Sequence, residues 1–161
     1  MNYDRWTKNA LEPFFNIISK ENYENDKINC CKVICKESTI IPNQLGVFAN
    51  TDINKGDIVE WGVACYIPGI DVRDNDHLFS WSTTDRSIAA TVSGCGLYYN
   101  TLGDKSNCRC VPYHSEMRFE IYALEEIKKG TELTFRYDSM NYRECMKELL
   151  PIVGELIDGD K

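Results

Sequence analysis

One short pattern occurs twice in the sequence, and it constrains the fold more than any other feature. The segments "TDINKGDIVEW" (51–61) and "LEEIKKGTELTF" (124–135) each place an acidic residue before an isoleucine, then a Lys-Gly pair, then an apolar run. We expect each isoleucine to anchor a loop in the core and each glycine to take a positive φ in a tight turn. The residues after each turn should enter a strand. The pattern predicts two hairpins that pack as related halves of a small sheet assembly.

The rest of the chain divides into a strand-rich middle and helical ends. Short apolar runs predict strands within 28–40, 45–67 and 117–127. The segment "YDRWTKNALEPFFNIISK" (3–20) has apolar residues at roughly helical spacing, interrupted by Pro13. The tail "NYRECMKELLPIVGELI" predicts a helix through Leu150 that is interrupted at Pro151. The pattern therefore favours a β-rich α+β domain with short helices at both termini.

Size and charge bound the class of protein. With 161 residues and 43% hydrophobic content, the chain can build one sizeable core, so we expect one domain. The formal net charge of −7 argues against a general nucleic-acid binder, which needs a basic surface. An acidic surface suits a basic partner such as a Lys/Arg-rich protein tail, although it can also serve solubility alone. We expect a monomer or a homodimer.

The N-terminus and the cysteines bear on the compartment. The first residues, "MNYDRWTKNALEPFF", carry Asp and Glu inside any apolar run, which is typical of neither a signal peptide nor a membrane span. We therefore expect an intracellular protein, nuclear or cytoplasmic, with reduced thiols that act as small hydrophobic side chains and bind no metal. The alternative is structural zinc at Cys30-Cys31-Cys35 or at Cys108-Arg109-Cys110. Neither cluster has the paired Cys-x-x-Cys spacing that is typical of zinc sites, so we expect thiols without metal. An unrelated cysteine-rich metal-binding protein is a further reading.

Three segments carry candidate site residues. In "LGVFA" (45–49), Gly46 lets a backbone turn approach a ligand closely. In "GLYYNT" (96–101), Asn100 stands at the end of an apolar strand and is a candidate for polar ligand recognition. In "LTFRY" (133–137), Phe135 and Tyr137 are two residues apart and so share one face of a strand. That aromatic face predicts a pocket wall with one polar tip.

In their order and spacing these segments resemble the SET domain, the fold of one large class of protein-lysine methyltransferases. "LGVFANTDINKGDIVE" resembles the family's opening Gly-x-Gly-Val-Phe-Ala segment, and "GLYYNTLGDKSNC" resembles its Asn-His-Ser-x-x-Pro-Asn segment. "IYALEEIKKGTELTFRY" resembles its closing segment, and the resemblance covers about residues 30–142. Gln44 stands where the family has its first glycine, and Thr101 where it has histidine. Only Cys145 lies beyond Tyr137, so the family's zinc-binding post-SET segment is absent.

The resemblance implies a fold and an organisation. The fold is a set of small β-sheets with a pseudo-knot, in which the segment with the asparagine and the closing segment thread past one another. We expect an N-terminal helical extension over residues 1–27, the SET domain over 28–142, and a C-terminal helix over 143–161 that packs on it. The resemblance implies a small member of the family with the SET domain alone.

The resemblance also implies a function. The chain is expected to be a protein-lysine N-methyltransferase that uses S-adenosylmethionine to methylate lysine side chains of a basic protein substrate, such as a histone tail in chromatin. Phe135 predicts di- or trimethylation, because tyrosine at that position of the family restricts the number of methyl groups added. No direct binding to nucleic acid or membrane is expected. The alternative is a catalytically weak or inactive SET-like module that binds protein.

The site residues follow by position in the family's motifs. Tyr137 is implied to be the catalytic tyrosine. The implied cofactor-binding residues are Leu45, Gly46, Asn100 and Thr101, with Tyr142 closing the cofactor site from the C-terminal helix. The substrate channel is implied to be lined by Phe135, with Trp61 and Tyr66 also able to restrict it. No residue is expected to bind metal.

Overall fold

A computed structural model describes residues 28–70, 72, 75, 77–82, 85, 88–137 and 144–154. The expected N-terminal extension (1–27) and Tyr142 lie outside these residues. The strands are β1 (Ile28–Cys30), β2 (Val33–Glu37), β3 (Leu45–Ala49), β4 (Ile58–Ile67), β5 (Phe79–Ser80), β6 (Ala89–Val92), β7 (Cys108–Tyr113), β8 (Arg118–Ala123) and β9 (Glu132–Leu133). The helical elements are short: 3-10 turns at Gly96–Tyr98, Gly103–Lys105, His114–Glu116 and Glu144–Leu149, and one α-helix, α1 (Leu150–Val153).

The strands form two sheets. One has four strands in the order β1-β2-β3-β9, and the other has five in the order β5-β6-β4-β8-β7. Neighbouring strands within both sheets are antiparallel. Alternating side chains from the two sheets fill one core, in which Val33, Val47, Phe119, Ile121 and Leu133 are fully buried. The predicted β-rich α+β class is confirmed.

The repeated pattern pairs with itself. Ile53 and Ile127 are both buried and exchange their backbone hydrogen bonds, with N···O distances of 2.8 and 2.9 Å. Gly56 and Gly130 take positive φ values of 84° and 89° in the two Lys-Gly turns. The N–H of each glycine donates to an alanine carbonyl of a neighbouring segment, Ala123 and Ala49 respectively. The two units are therefore related halves that meet at an Ile–Ile bridge, as the sequence predicts.

The closing segment passes between the two ends of one loop. On one side, Phe135 N–H donates to the carbonyl of Asn100 at 3.1 Å, and on the other, Cys108 N–H donates to the carbonyl of Thr134 at 2.8 Å. Both contacts are parallel bridges, so the segment after β9 runs through the loop of residues 100–108. The Asn107 side chain bonds the backbone of that segment on both sides of Leu133. This is the crossing expected of the pseudo-knot.

The C-terminal segment packs beside the crossing. Met146 and Leu149 are buried against Ile41, and Tyr137 packs against the same cluster. The prediction that Pro151 interrupts a helix is wrong: a 3-10 turn ends at Leu149, and Pro151 lies in the first turn of α1. Proline is tolerated there because the first-turn N–H groups lack helical partners. Among the described residues, no helix is long and apolar enough to cross a membrane.

Candidate functional site

A cleft of about 270 Å³ opens where the turn before β3 faces the 3-10 turn at Gly96–Tyr98. Its walls combine backbone, amide and ring groups rather than a closed apolar surface. The lining residues are Asn43, Gln44, Leu45, His77, Leu97, Tyr98 and Asn100. The cleft thus contains two of the predicted cofactor-binding residues, Leu45 and Asn100.

Asn100 is fixed in this cleft by its amide nitrogen. Nδ2 lies 3.0 Å from Glu132 Oε1, 3.1 Å from Ser38 Oγ and 3.1 Å from the carbonyl oxygen of Leu45. Among the described residues, none donates a hydrogen bond to the amide oxygen, so that oxygen remains an acceptor at the cleft. An acceptor in this position suits the ammonium group of an amino acid.

Glu132 organises the surroundings of Asn100. Its carboxylate is buried and accepts hydrogen bonds from the Ser38 hydroxyl at 2.7 Å and from both the N–H and the hydroxyl of Thr39, at 2.7 and 2.6 Å. With the Asn100 amide, this carboxylate ties the turn after β2 to β9 and to the asparagine segment. Hydrogen bonds to a carboxylate are stronger than neutral ones, so this cluster, which we call the Glu132 network, holds the cleft wall rigid.

Gly46 is required by the Glu132 network. A Cβ atom at position 46 would collide with Glu132 Oε1 and lie 3.2 Å from Ser38 Cα. Gly46 is buried in β3, opposite Lys36 of β2. The structure therefore gives this glycine a definite role: it admits the carboxylate that positions Asn100.

The local structure accommodates both residues that depart from the motifs, Gln44 and Thr101. Asn43 takes the left-handed conformation, with φ of 61°, and asparagine tolerates this region better than most side chains. Gln44, the next residue, is exposed at the cleft and is not among the residues with positive φ, so its side chain costs no backbone strain. Thr101 is fully buried, and its hydroxyl accepts a hydrogen bond from the Gly103 N–H at 3.1 Å.

Tyr137 lies next to the asparagine segment. Its hydroxyl donates to the carbonyl oxygen of Tyr99, the residue before Asn100. The Tyr99 hydroxyl in turn donates to Glu60 Oε2 at 2.8 Å. Burial, followed by the Glu60 charge, raises the pKa of Tyr99 well above its usual value, so Tyr99 stays a neutral donor. The crossing of the chain thus brings the predicted catalytic phenol to the segment that carries Asn100.

Phe135 is the centre of an aromatic cluster. Its ring centroid lies 5.4 Å from that of Tyr137, 5.6 Å from Tyr99 and 6.2 Å from Phe79. Phe135 is buried, while Tyr137 is half-buried. The predicted aromatic wall is therefore present, and two of its members, Phe79 and Tyr99, were not singled out from the sequence.

Tyr66 and Trp61 lie on opposite faces of β4. Tyr66 is opposite Ala90 of β6, which in turn is opposite Phe79 of β5, so Tyr66 shares a sheet face with the aromatic cluster. Trp61 is five residues from Tyr66 and therefore points to the other face, where 70% of its surface is exposed. Tyr66 is nevertheless 54% exposed and has no ring contact with the cluster among the described residues, whereas Trp61 lies on the face away from it.

Comparison with models of known protein families identifies the family of this chain. The model of the SET domain family matches residues 44–138, more than half of the chain. The chain belongs to the SET domain family. The match includes the cleft residues from Gln44 onward, the asparagine segment and Tyr137. The sequence-based assignment of the family and of its fold is thereby confirmed.

Solved structures share the fold of this SET domain. A Plasmodium falciparum protein described as a histone methyltransferase is 23% identical, with a TM-score of 0.52, over 66% of this chain and 92% of its own. The active polycomb repressive complex 2 in the stimulated state is 24% identical (TM-score 0.52), over 66% of this chain and 15% of that one. The ATXR5 SET domain, in complex with histone H3 dimethylated on R26, is 18% identical (TM-score 0.53), over 67% and 58%. A search of curated protein sequences finds no match.

The residue that sequence reasoning most clearly missed is Glu132. It lies in "TELTF", inside the repeated pattern, and looks like an ordinary polar position of a short strand. In the structure β9 is only two residues long, and both Glu132 and Leu133 are buried, so the strand does not alternate between core and solvent. The burial itself could not be known before the Gly46 and Asn100 segments were placed beside it.

Proposed function

We propose that this SET domain is a protein-lysine methyltransferase that uses S-adenosylmethionine and acts on a basic protein substrate. Family membership supports protein methyltransferase activity, and SET domain methyltransferases generally use this cofactor. The single observation that carries the proposal is the bond from the Tyr137 hydroxyl to the Tyr99 carbonyl. It sets the phenol beside the segment whose next residue, Asn100, lines the cleft.

The residues at the cleft fit the amino-acid end of the cofactor. The amide oxygen of Asn100 is an acceptor for an ammonium group, and its orientation is fixed because Nδ2 is held by Glu132, Ser38 and the Leu45 carbonyl. Leu45 and Gly46 form the adjacent backbone. We propose these residues, with Thr101, as the cofactor-binding set. Tyr142 remains proposed from the sequence alone.

The chain's own residues then have to prepare a lysine amine. The sulfonium of the bound cofactor supplies an activated methyl group. A free lysine has a pKa of about 10.4, and the amine must lose its proton before it can attack. Aromatic walls around Phe135 exclude water, which disfavours the ammonium form and aligns the aliphatic stem. The Tyr137 hydroxyl, at the half-buried edge of this cluster, is placed to orient the reacting groups.

Asn100→Ala should weaken binding of S-adenosylmethionine about 10- to 100-fold, because it removes a hydrogen bond to a charged group, about 1.5–3 kcal/mol. Isothermal titration calorimetry with the purified chain measures this affinity. Asn50→Ala is a matched control, because Asn50 is a half-buried asparagine whose side chain bonds the Cys31 carbonyl, away from the cleft. Equal affinities in both variants and in the unmodified chain would remove Asn100 from the cofactor site.

Phe135→Tyr should shift the products from di- or trimethyl-lysine toward monomethyl-lysine, with the first transfer largely retained. The added hydroxyl fills the room that a further methyl group needs and restricts rotation of a methylated amine. Time-resolved mass spectrometry on a peptide with one lysine separates the steps, and the rate of the first transfer serves as the internal control. An unmodified chain that stops at monomethyl-lysine under saturating cofactor would contradict the proposal, and Tyr66 would then be the first residue to vary.

The substrate class rests on charge and on the relatives. The net charge of −7 suits a Lys/Arg-rich tail, and the ATXR5 SET domain is seen in complex with histone H3. The alternative is a SET-like module that binds protein without catalysis, and it draws on the departures at Gln44 and Thr101. An assay of cofactor turnover distinguishes the two alternatives, because only an enzyme consumes the cofactor that it binds.

A further inference from the structure

Three metal-ligating side chains meet in the interior, away from the cleft. Cys30 comes from β1, Glu60 from β4 and Cys95 from the turn after β6. Their ligand atoms all lie within 4.8 Å of one another, and the two Sγ atoms are 3.8 Å apart. Cys95 and Glu60 are buried, and Cys30 is half-buried. We call these residues the Cys–Glu cluster.

Among the residues that the structure describes, no cationic side chain forms an ion pair with the cluster. Glu60 is 7% exposed and forms no ion pair with any residue that the structure describes. Burial raises the pKa of Glu60, and the hydrogen bonds from the Cys95 N–H and the Tyr99 hydroxyl lower it in part. A buried carboxylate without a counter-charge is costly unless it is protonated or meets a cation. Two thiols and a carboxyl group that face one another are a set that one divalent cation would neutralise.

The surrounding backbone is shaped to bring these groups together. Gly94 takes a φ of 67°, and a Cβ atom there would collide with Glu60 Oε1 and lie 3.7 Å from Cys30 Sγ. The Cys95 N–H donates to Oε1 at 2.6 Å, and the Tyr99 hydroxyl donates to Oε2 at 2.8 Å. Hydrogen bonds of this kind orient carboxylate ligands in metal sites. Each Glu60 oxygen keeps a further lone pair for a metal ion.

A further buried thiol lies on the same face of the sheet as Cys30. Cys35 of β2 is fully buried, and its pKa is raised to about 11 by burial, then by the charge of Glu60 and by Cys30. Cys35 is opposite Ile28 in the β1–β2 pair, two residues from Cys30, so both thiols occupy neighbouring positions on one face. The Cys35 sulfur is not among the ligand atoms that lie within 4.8 Å of one another, so the cluster itself supplies two sulfur atoms and one oxygen.

We propose that Cys30, Cys95 and Glu60 form a zinc site with these three side chains as its protein ligands. Tetrahedral zinc with Zn–S bonds of about 2.3 Å holds its sulfur ligands about 3.8 Å apart. At the observed Sγ–Sγ distance of 3.8 Å the Cys95 thiol donates a hydrogen bond to Cys30 Sγ, and the same spacing fits two zinc ligands, whereas a disulfide would require about 2.0 Å. Thiolate ligands favour zinc over magnesium, calcium and manganese, which prefer oxygen ligands. Binding releases the thiol protons of the cysteine ligands to solvent as the Zn–S bonds form.

This inference does not depend on the proposed methyltransferase function, and it departs from the expectation of no metal. The sequence pattern could not reveal the site, because Cys30 and Cys95 are 65 residues apart and the acidic ligand lies in a third segment. Paired Cys-x-x-Cys spacing, on which zinc prediction relies, is absent when each ligand comes from a different element.

The test measures metal in the full chain purified without chelators. Elemental analysis should find one zinc per chain, and cobalt substitution should give the thiolate-to-cobalt charge-transfer band of a tetrahedral sulfur site. Cys30→Ser should lose zinc on dialysis. Cys31→Ser is the matched control, because Cys31 is the adjacent cysteine but is exposed, and this variant should keep its zinc. Absence of both zinc and the cobalt band in the unmodified chain overturns the proposal.

If the Cys30→Ser variant does not fold, a second measurement on the unmodified chain tests the site. Cys30 and Cys110 are both half-buried thiols, and they can be compared in the unmodified chain by alkylation and mass spectrometry. Chelation should expose Cys30 to alkylation and leave the rate at Cys110 unchanged. Equal rates at Cys30 with and without chelator, or a Cys30–Cys95 disulfide in the intact mass, overturn the zinc site.

Discussion

Tyr137→Phe should reduce methyl transfer by about 10²–10³-fold, the usual loss when one hydrogen-bonding group at a reacting centre is removed. Only the hydroxyl is lost, and with it the bond to the Tyr99 carbonyl, which contributes about 1 kcal/mol to stability. The ring still packs against Phe135, so the fold and cofactor affinity should persist. Single-turnover kinetics with labelled S-adenosylmethionine measure the transfer step, and calorimetry measures cofactor binding on the same preparation.

Tyr113→Phe is the matched control for this prediction. Tyr113 is also a half-buried tyrosine with a bonded hydroxyl, but that hydroxyl donates to Glu120 on the outward face of the five-stranded sheet, at 2.9 Å. The Tyr113→Phe variant should lose little stability and no methyl-transfer activity. If Tyr137→Phe transfers methyl groups at the unmodified rate while cofactor still binds, Tyr137 is a core residue and the catalytic assignment fails.

Glu132→Gln should be the most destabilising single change at the site. The carboxylate accepts hydrogen bonds from Ser38, Thr39 and Asn100, and an amide must direct its NH2 group at some of these donors. Each charge-assisted bond lost should cost about 1.5–3 kcal/mol, seen as a lower midpoint in urea unfolding. Cofactor affinity should also fall, because Asn100 loses one of the acceptors that fix its amide. Glu126→Gln, at an exposed glutamate of the neighbouring turn, is the control and should change neither quantity.

Gly46→Ala tests the same network from the other side. The new Cβ atom collides with the Glu132 carboxylate, so this variant should be destabilised as well. Glu132→Asp shortens the side chain by one methylene and withdraws the carboxylate, so the double variant should be less destabilised than the sum of the two single variants. The relief should be partial, because Ser38 Cα also lies 3.2 Å from that Cβ. Simple additivity would show that the glycine and the carboxylate act independently.

The parts of the fold that were predictable are those specified by local patterns. The Ile-x-Lys-Gly pattern fixes an anchor, a positive-φ glycine and a strand start within six residues, and both copies behave as expected. The rings of Phe135 and Tyr137 do lie together, but β9 ends at Leu133, so the two residues are not on one strand face as the spacing predicted. Even the position of Trp61 was accessible in principle, because residues five apart on one continuous strand cannot share a face.

The parts that were missed depend on contacts between distant segments. Glu132 organises the cleft wall only because Gly46, Ser38 and Asn100 converge on it from three other segments. The Cys–Glu cluster is assembled from β1, β4 and the turn after β6, and nothing in the local sequence around any one of its members distinguishes a ligand from a buried thiol. Phe79 joins the aromatic cluster through a two-residue strand that is too short to carry a pattern.

The most direct test of the central claim is the fate of a labelled methyl group. The chain, with Tyr137→Phe and Tyr113→Phe in parallel, would be incubated with methyl-labelled S-adenosylmethionine and a mixture of histones and other basic proteins, and the products mapped by mass spectrometry. We predict label on lysine side chains, produced by the unmodified chain and by Tyr113→Phe but nearly lost in Tyr137→Phe. Label on arginine alone, or no transfer by a chain that binds the cofactor, would contradict a protein-lysine methyltransferase.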